Sequence, residues 1–162
     1  MAALPKHDHV ATPRLDARVI GYVTTPTGLD RGDLRARERA VARACERRGW
    51  QLTAIICDRD DGRLLQRPGI AYALERIADG HVSGLVVSDG RLLSRSPDFA
   101  ALVHRLADAE AALIALDLGV DTSTPEGSRL TRLLITLNGW RHGHDARPRS
   151  RRSGCRSAPA SR

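Results

Sequence analysis

Lysine is nearly absent from this chain: Lys6 stands alone beside 25 arginines. So one-sided a choice is better explained by GC-rich coding than by selection for phosphate contacts. Cysteine is scarce as well. Cys45, Cys57 and Cys155 are odd in number and form no CxxC pair, which argues against a disulfide framework and fits a reducing, cytoplasmic setting. No apolar run approaches the length of a membrane span, and no charged-then-apolar leader opens the sequence, so neither a spanning helix nor a signal peptide is expected. No internal repeat is found. What remains is 162 residues, 41% hydrophobic and 28% charged, the length and composition of one soluble globular domain.

The formal net charge of +7 invites a nucleic-acid reading, but the charge is unevenly placed. Residues 1–140 hold 19 basic and 18 acidic side chains, whereas residues 141–162 hold seven arginines against Asp145 alone. The excess therefore belongs to a tail. Arg, Ser, Ala, Pro and Gly fill 18 of its 22 positions, with no apolar period, so it cannot bury enough surface to offset ordering and is expected to be disordered. The first 17 residues, with Pro5 and Pro13, have the character of a flexible lead-in. The expected organisation is a lead-in over 1–17, one domain over 18–140 and a basic tail over 141–162.

Within the domain, short apolar runs alternate with amphipathic stretches. Residues 19–23, 52–57, 85–87 and 113–116 have the character of buried strands. Helices are expected over 30–48, from Pro68 through Ile77, over 99–106, and from Pro125 onward with Leu130, Leu133, Leu134 and Leu137 on one stripe facing the core. Such alternation predicts an α/β fold, a mostly parallel sheet of four to five strands with helices on both faces. Ligands of such sheets bind beyond the carboxyl ends of the strands, here near residues 24–27, 58–66 and 88–96.

At these edges the sequence resembles the catalytic domain of the serine recombinases, the resolvase/invertase family. The matching pieces run in order: Ile20-Gly21-Tyr22-Val23, Cys45 with Gly49-Trp50, Arg67-Pro68-Gly69-Ile70, Gly84-Leu85-Val86-Val87, Leu93-Ser94-Arg95-Ser96, and Leu116-Asp117 with residues 119–125. The resemblance covers about residues 18–142. It implies site-specific DNA recombination, in which a serine attacks a phosphodiester and forms a 5′-phosphoserine link. Arginines neutralise the transition state, an aspartate handles protons, and the sites act together in a tetramer.

Residue by residue, the chain departs from that pattern. Where the family has Tyr-x-Arg-x-Ser-Thr, this sequence has Tyr22-Val23-Thr24-Thr25-Pro26-Thr27, so Pro26 stands at the nucleophile position and Thr24 at an arginine. Proline has neither a hydroxyl nor an N–H and cannot take the serine's role. The family's Asp-Arg-Leu-x-Arg becomes Arg91-Leu92-Leu93-Ser94-Arg95, and its final helical run becomes Asn138-Gly139-Trp140-Arg141-His142. Tyr22, Arg67 and Arg95 match retained family positions. Losing one preorganised donor costs about 3 kcal/mol of transition-state stabilisation in comparable sites, so losing several with the nucleophile predicts no strand cleavage.

Other readings compete with these. Thr27 could serve as an adapted nucleophile, but no adjacent base is evident to activate it. Arg67 and Arg95 could bind a phosphate or pair with a carboxylate such as Asp58 or Asp89. Tyr22 is expected to pack, and Cys57 to be a small core residue. His7-x-His9 and His142-x-His144 fall in segments expected to be irregular and lack the four fixed ligands of a zinc site, so no metal and no cofactor is expected. In the family the last helix builds the dimer, which makes residues 126–140 a candidate interface with a second copy or an intact recombinase. Gly139, Gly143 and Pro148 are expected to end that helix. The tail, with Arg147, Arg149, Arg151 and Arg152, is either a basic arm contacting DNA phosphates or out-of-frame coding. The whole is either a non-cleaving domain that associates with DNA, a gene remnant, or an adapted enzyme.

Overall fold

The computed structural model describes residues 17–26, 28 and 30–145. Strand β1 (Arg18–Thr25) lies second in the sheet and organises it: β2 (Gln51–Arg59) pairs with one edge and β3 (Gly84–Val87) with the other, both parallel. Beyond β3 come β4 (Ala112–Ala115), also parallel, and the two-residue β5 (Val120–Asp121), antiparallel. The order is β2-β1-β3-β4-β5. The expected α/β sheet with helices on both faces is thus the architecture of the chain.

Alternation along β1 divides the core. Ile20 and Tyr22 enter a cluster with α2 (Pro68–Ala78) and α4 (Phe99–Asp108), while Val19 and Val23 enter another with α1 (Arg31–Arg47). Helix α1 can lie close because β1 has glycine at its centre: a Cβ on Gly21 would stand 2.7 Å from Val41 Cγ1. Asp30 caps α1, accepting from the Asp33 amide at 2.8 Å. Pro68 occupies the first turn of α2, where its missing N–H costs nothing. The four-residue α3 (Gly90–Leu93) and β5 are too short to leave a periodic signature.

Helix α5 (Pro125–Asp145) differs from expectation in two respects. Its leucines do not form one core-facing stripe. Leu134 and Ile135 pack against the larger core cluster, whereas Leu130, Leu133 and Leu137 are 46%, 59% and 49% exposed and Trp140 is 67% exposed. The helix also runs past residue 140 and through Gly139 and Gly143 to Asp145, so residues 141–145 are helical rather than tail. An interior glycine costs only about 1 kcal/mol, and two tertiary contacts tie this end down. Asn138 Nδ2 donates to Ser96 O at 2.7 Å, and His142 Nε2 lies 3.1 Å from Arg95 O. His142 is therefore on a helix, as is the backbone of His144. Among the described residues no cluster of metal-ligating side chains occurs, and no helix is long and apolar enough to cross a membrane. Cys57, expected in the core, is exposed on edge strand β2, and its thiol donates to Glu38 Oε1 at 3.4 Å.

Asp98 joins the segment before α2 to the start of α4. Buried, it accepts from the Leu64 and Leu65 amides at 3.2 and 3.0 Å and from the Ser96 hydroxyl at 2.5 Å. Burial by itself would raise its pKa, but the Ser96 hydroxyl and the Leu65 and Leu64 amides hold the carboxyl below its usual value. A depressed folded-state pKa stabilises the fold above the unfolded value, near pH 4, and that contribution is lost as pH falls through the folded value. Asp98→Ala leaves two amides unsatisfied and is expected to cost about 1–3 kcal/mol. Urea unfolding should show this loss at pH 7, with the gap to the parent chain narrowing in acid.

Candidate functional site

The carboxyl edge of the sheet carries two neighbouring groups of polar side chains. The first lies between β1, β2 and the start of α2. Tyr22, fully buried, donates its hydroxyl to Asp58 Oδ2 at 3.1 Å. Asp58 also accepts from the Gly69 amide, at 3.1 Å on Oδ1 and 2.9 Å on Oδ2. This grip depends on glycine, since a Cβ on Gly69 would stand 2.6 Å from Asp58 Oδ2. The run Arg67-Pro68-Gly69 thus starts a helix and docks the Gly69 amide on a strand-end carboxylate.

Arg67 is only 7% exposed, and its Nη2 donates to Asp60 Oδ1 at 2.7 Å. Its carboxylate partner is Asp60, not Asp58. The Nε and Nη1 groups of Arg67, and Thr24 Oγ1, are buried without a hydrogen-bond partner among the described residues. Burial works against the Arg67 cation, but Tyr22 and Asp60 more than offset it and raise its pKa. Burial is also the main reason that the Tyr22 hydroxyl is pushed up to about 12.

The second group lines an open cavity of about 440 Å³ formed by Pro26, Arg37, Asp89, Arg91, Leu92, Arg95 and Asp117. Arg37 reaches across from α1 to form an ion pair with Asp89. Asp117 accepts from the amides of Gly90 and Arg91 at 2.7 and 3.1 Å, fixing the turn that opens α3. Both carboxylates are therefore engaged, while Arg91 and Arg95 are exposed and form no ion pair among the described residues. Among the described residues the lining includes no serine, threonine, cysteine or tyrosine. The nearby hydroxyls are used locally: Thr25 donates to Asp58 O, Ser94 to Arg91 O, Ser96 to Asp98, and Ser88 lies 3.3 Å from Asp89.

Of the residues singled out from the sequence, Pro26 and Arg95 thus share the open cavity, and Tyr22 and Arg67 share the buried group. Arg67 is not part of the cavity wall. Thr27, Arg147, Arg149, Arg151 and Arg152 lie outside the described residues. Arg37 had no sequence signal, because it reaches Asp89 from a helix remote in sequence; Asp117 and Asp60 lie in stretches the sequence pointed to, but their partners could not be read there. Spectrophotometric titration should find one of the two tyrosines ionising only near pH 12. Because its folded-state pKa is raised, the stability Tyr22 contributes is full below pH 10 and lost as pH rises toward 12. Tyr22→Phe should remove that late ionisation, and a late ionisation that persists would refute the assignment.

The family model described as "Resolvase, N terminal domain" matches residues 19–151. A search of curated proteins returns no match. Among solved structures, the N-terminal catalytic domain of TP901-1 integrase is 24% identical, with a TM-score of 0.64 over 79% of this chain and 98% of that one. A resolvase family site-specific recombinase from Streptococcus pneumoniae is 14% identical, with a TM-score of 0.59 over 78% of this chain and 90% of that one. The fold is accordingly that of a serine-recombinase catalytic domain, and the chain belongs to the resolvase N-terminal-domain family.

Proposed function

We propose that this chain is a non-cleaving member of its family, one that binds a DNA phosphodiester at the carboxyl edge and assembles through α5 without transferring a strand. The observation that carries the reading is the chemistry of the cavity wall: Arg91 and Arg95 are free to meet a phosphate, yet among the described residues none that lines the cavity offers a hydroxyl or thiol to attack it. Pro26 occupies the wall where, by the family resemblance, a serine is required. Leu92 and Thr24 stand at positions matched to arginines, and Arg91 at one matched to an aspartate. Arg95 is the proposed phosphate contact. Arg67, buried against Asp60, holds the adjoining strand end in position. A site of this kind supplies charge complementarity with no nucleophile and no proton acceptor free to serve one.

Assembly is supported by α5. Its exposed residues Leu130, Leu133, Leu137 and Trp140 recur at spacings of three, four and three, the pattern of a helix that pairs along a seam. A row of large apolar side chains left in water marks an interaction surface. A second copy of this helix, presenting the same row, is its natural partner, and an intact recombinase with an equivalent helix would fit the same seam. Sedimentation should find a dimer that Leu133→Glu converts to monomer; a parent chain that is monomeric at all accessible concentrations would exclude the seam.

Cleavage is tested directly. Incubated with supercoiled DNA and then denatured in detergent, the chain should leave no covalent protein–DNA adduct. Pro26→Ser alone should leave none either, because the arginine and aspartate positions remain altered. An adduct formed by the parent chain and abolished by Thr27→Ala would favour an adapted enzyme instead, and recovery of cleavage by Pro26→Ser alone would overturn this account of the site.

A further inference from the structure

Helix α1 carries its charge in a pattern that neither the core nor the cavity uses. Arginine recurs at 31, 35, 39, 43 and 47, an unbroken i, i+4 series, and all five are exposed. At 3.6 residues per turn the row advances about 6 Å and rotates about 40° per step, covering roughly 24 Å of helix. The opposite face holds Val41, Ala44 and Cys45 in the core, and Arg37, which leaves toward Asp89, belongs to that inner side. None of the five outer arginines forms an ion pair among the described residues. Three acidic residues lie on the helix. Asp33 and Glu38 fall outside the outer sector, Glu38 accepting from Cys57, and only Glu46 lies among the arginines.

The row cannot be explained as helix stabilisation. Like charges at i, i+4 repel, and Arg31 and Arg35 sit at the positive end of the helix dipole. A preference for arginine in the coding does not produce a four-residue period. Nor does the row fit a membrane surface, since the outer face between the arginines offers only Gly32, Ala36, Ala42 and Glu46, with no large apolar side chain to insert. As the row rotates it brings Arg43 and Arg47 to a groove of about 480 Å³, where Arg48 joins them against Ala115, Leu116 and Gly119. Arg48 is held there over the Trp50 ring, 5.0 Å from its centroid. Among the described residues no acidic side chain lines this groove.

We propose that the outer face of α1 and this groove form a second nucleic-acid contact, which takes the phosphate backbone of duplex DNA. A rigid, regularly spaced row of one sign complements a polymer that carries about one negative charge per 1.7 Å of its axis. This surface is distinct from the carboxyl-edge cavity and from α5, and it operates whether or not the chain cleaves DNA.

The test is fluorescence anisotropy of the full chain on a labelled random-sequence duplex across a salt series. Arg35→Gln/Arg39→Gln/Arg43→Gln should weaken binding at low salt at least tenfold. It should also flatten the slope of log affinity against log salt by about 2.7, since each phosphate contact contributes about 0.9. The single variant Arg39→Gln, with a fold checked by circular dichroism, should flatten it by about 0.9. Two controls separate the sources of binding: Arg95→Gln probes the cavity, and a chain with Arg147, Arg149, Arg151 and Arg152 changed to Gln probes the tail. Failure of the phosphodiester reading would appear in the Arg95 control alone and leaves the α1 effect in place. An unchanged slope in both α1 variants overturns the proposal. So does an α1-dependent binding to phosphatidylserine vesicles with DNA binding unaffected.

Discussion

Burial of β1 on both faces is the constraint from which the rest follows. Its alternating side chains are committed to two cores at once, so the strand cannot slip by one residue without driving Ile20 and Tyr22 into the space of Val19 and Val23. Gly21 then lets α1 approach closely, and the parallel pairing with β2 and β3 fixes the level at which Thr24, Asp58 and Ser88 emerge. The carboxyl edge is the outcome of that register. Its polar groups are held by strand ends and short turns, with Asp58 gripping the start of α2 and Asp117 the start of α3.

The edge that results is positively charged. Arginines remain exposed at the cavity wall, carboxylates are spent on amides and on Arg37, and most nearby hydroxyls are spent on backbone or carboxylates. Phosphate recognition requires only charge and donors, whereas phosphoryl transfer requires a nucleophile aligned with them. On the proposed reading, a proline at the wall removes the second requirement and leaves the first intact. The exposed apolar row of α5 lies apart from these groups, so the proposed loss of cleavage would not entail loss of the proposed assembly.

Net charge concealed the distribution that matters. Residues 1–140 are almost balanced, yet residues 31–48 carry seven arginines against three carboxylates. The balance is achieved by acidic residues elsewhere, not by ion pairs on the helix, and the field outside α1 is correspondingly one-sided. Summed over the domain, that asymmetry vanishes; resolved on a helix face, it is plain.

Four of the five strands, the four principal helices and the family membership were legible in the sequence, because apolar period and motif order are local and linear. That residue 26 is a proline without a hydroxyl is likewise readable without coordinates, since it is a fact of composition. Tertiary structure decided what depends on direction and neighbours. The leucines at 130–137 share a stripe in sequence, but packing buries only Leu134 with Ile135, because the sheet meets one side of α5 alone. Helix α5 outruns its glycines because Ser96 and Arg95 offer carbonyls to its end, a cooperation no helical propensity encodes. The partners of Arg67 and Asp89 were chosen by the fold, since arginine and carboxylate are numerous and only proximity selects among them. What the sequence by itself determined was the chain's architecture and the absence of a hydroxyl at residue 26; which charges are spent and which are free was settled by three-dimensional packing.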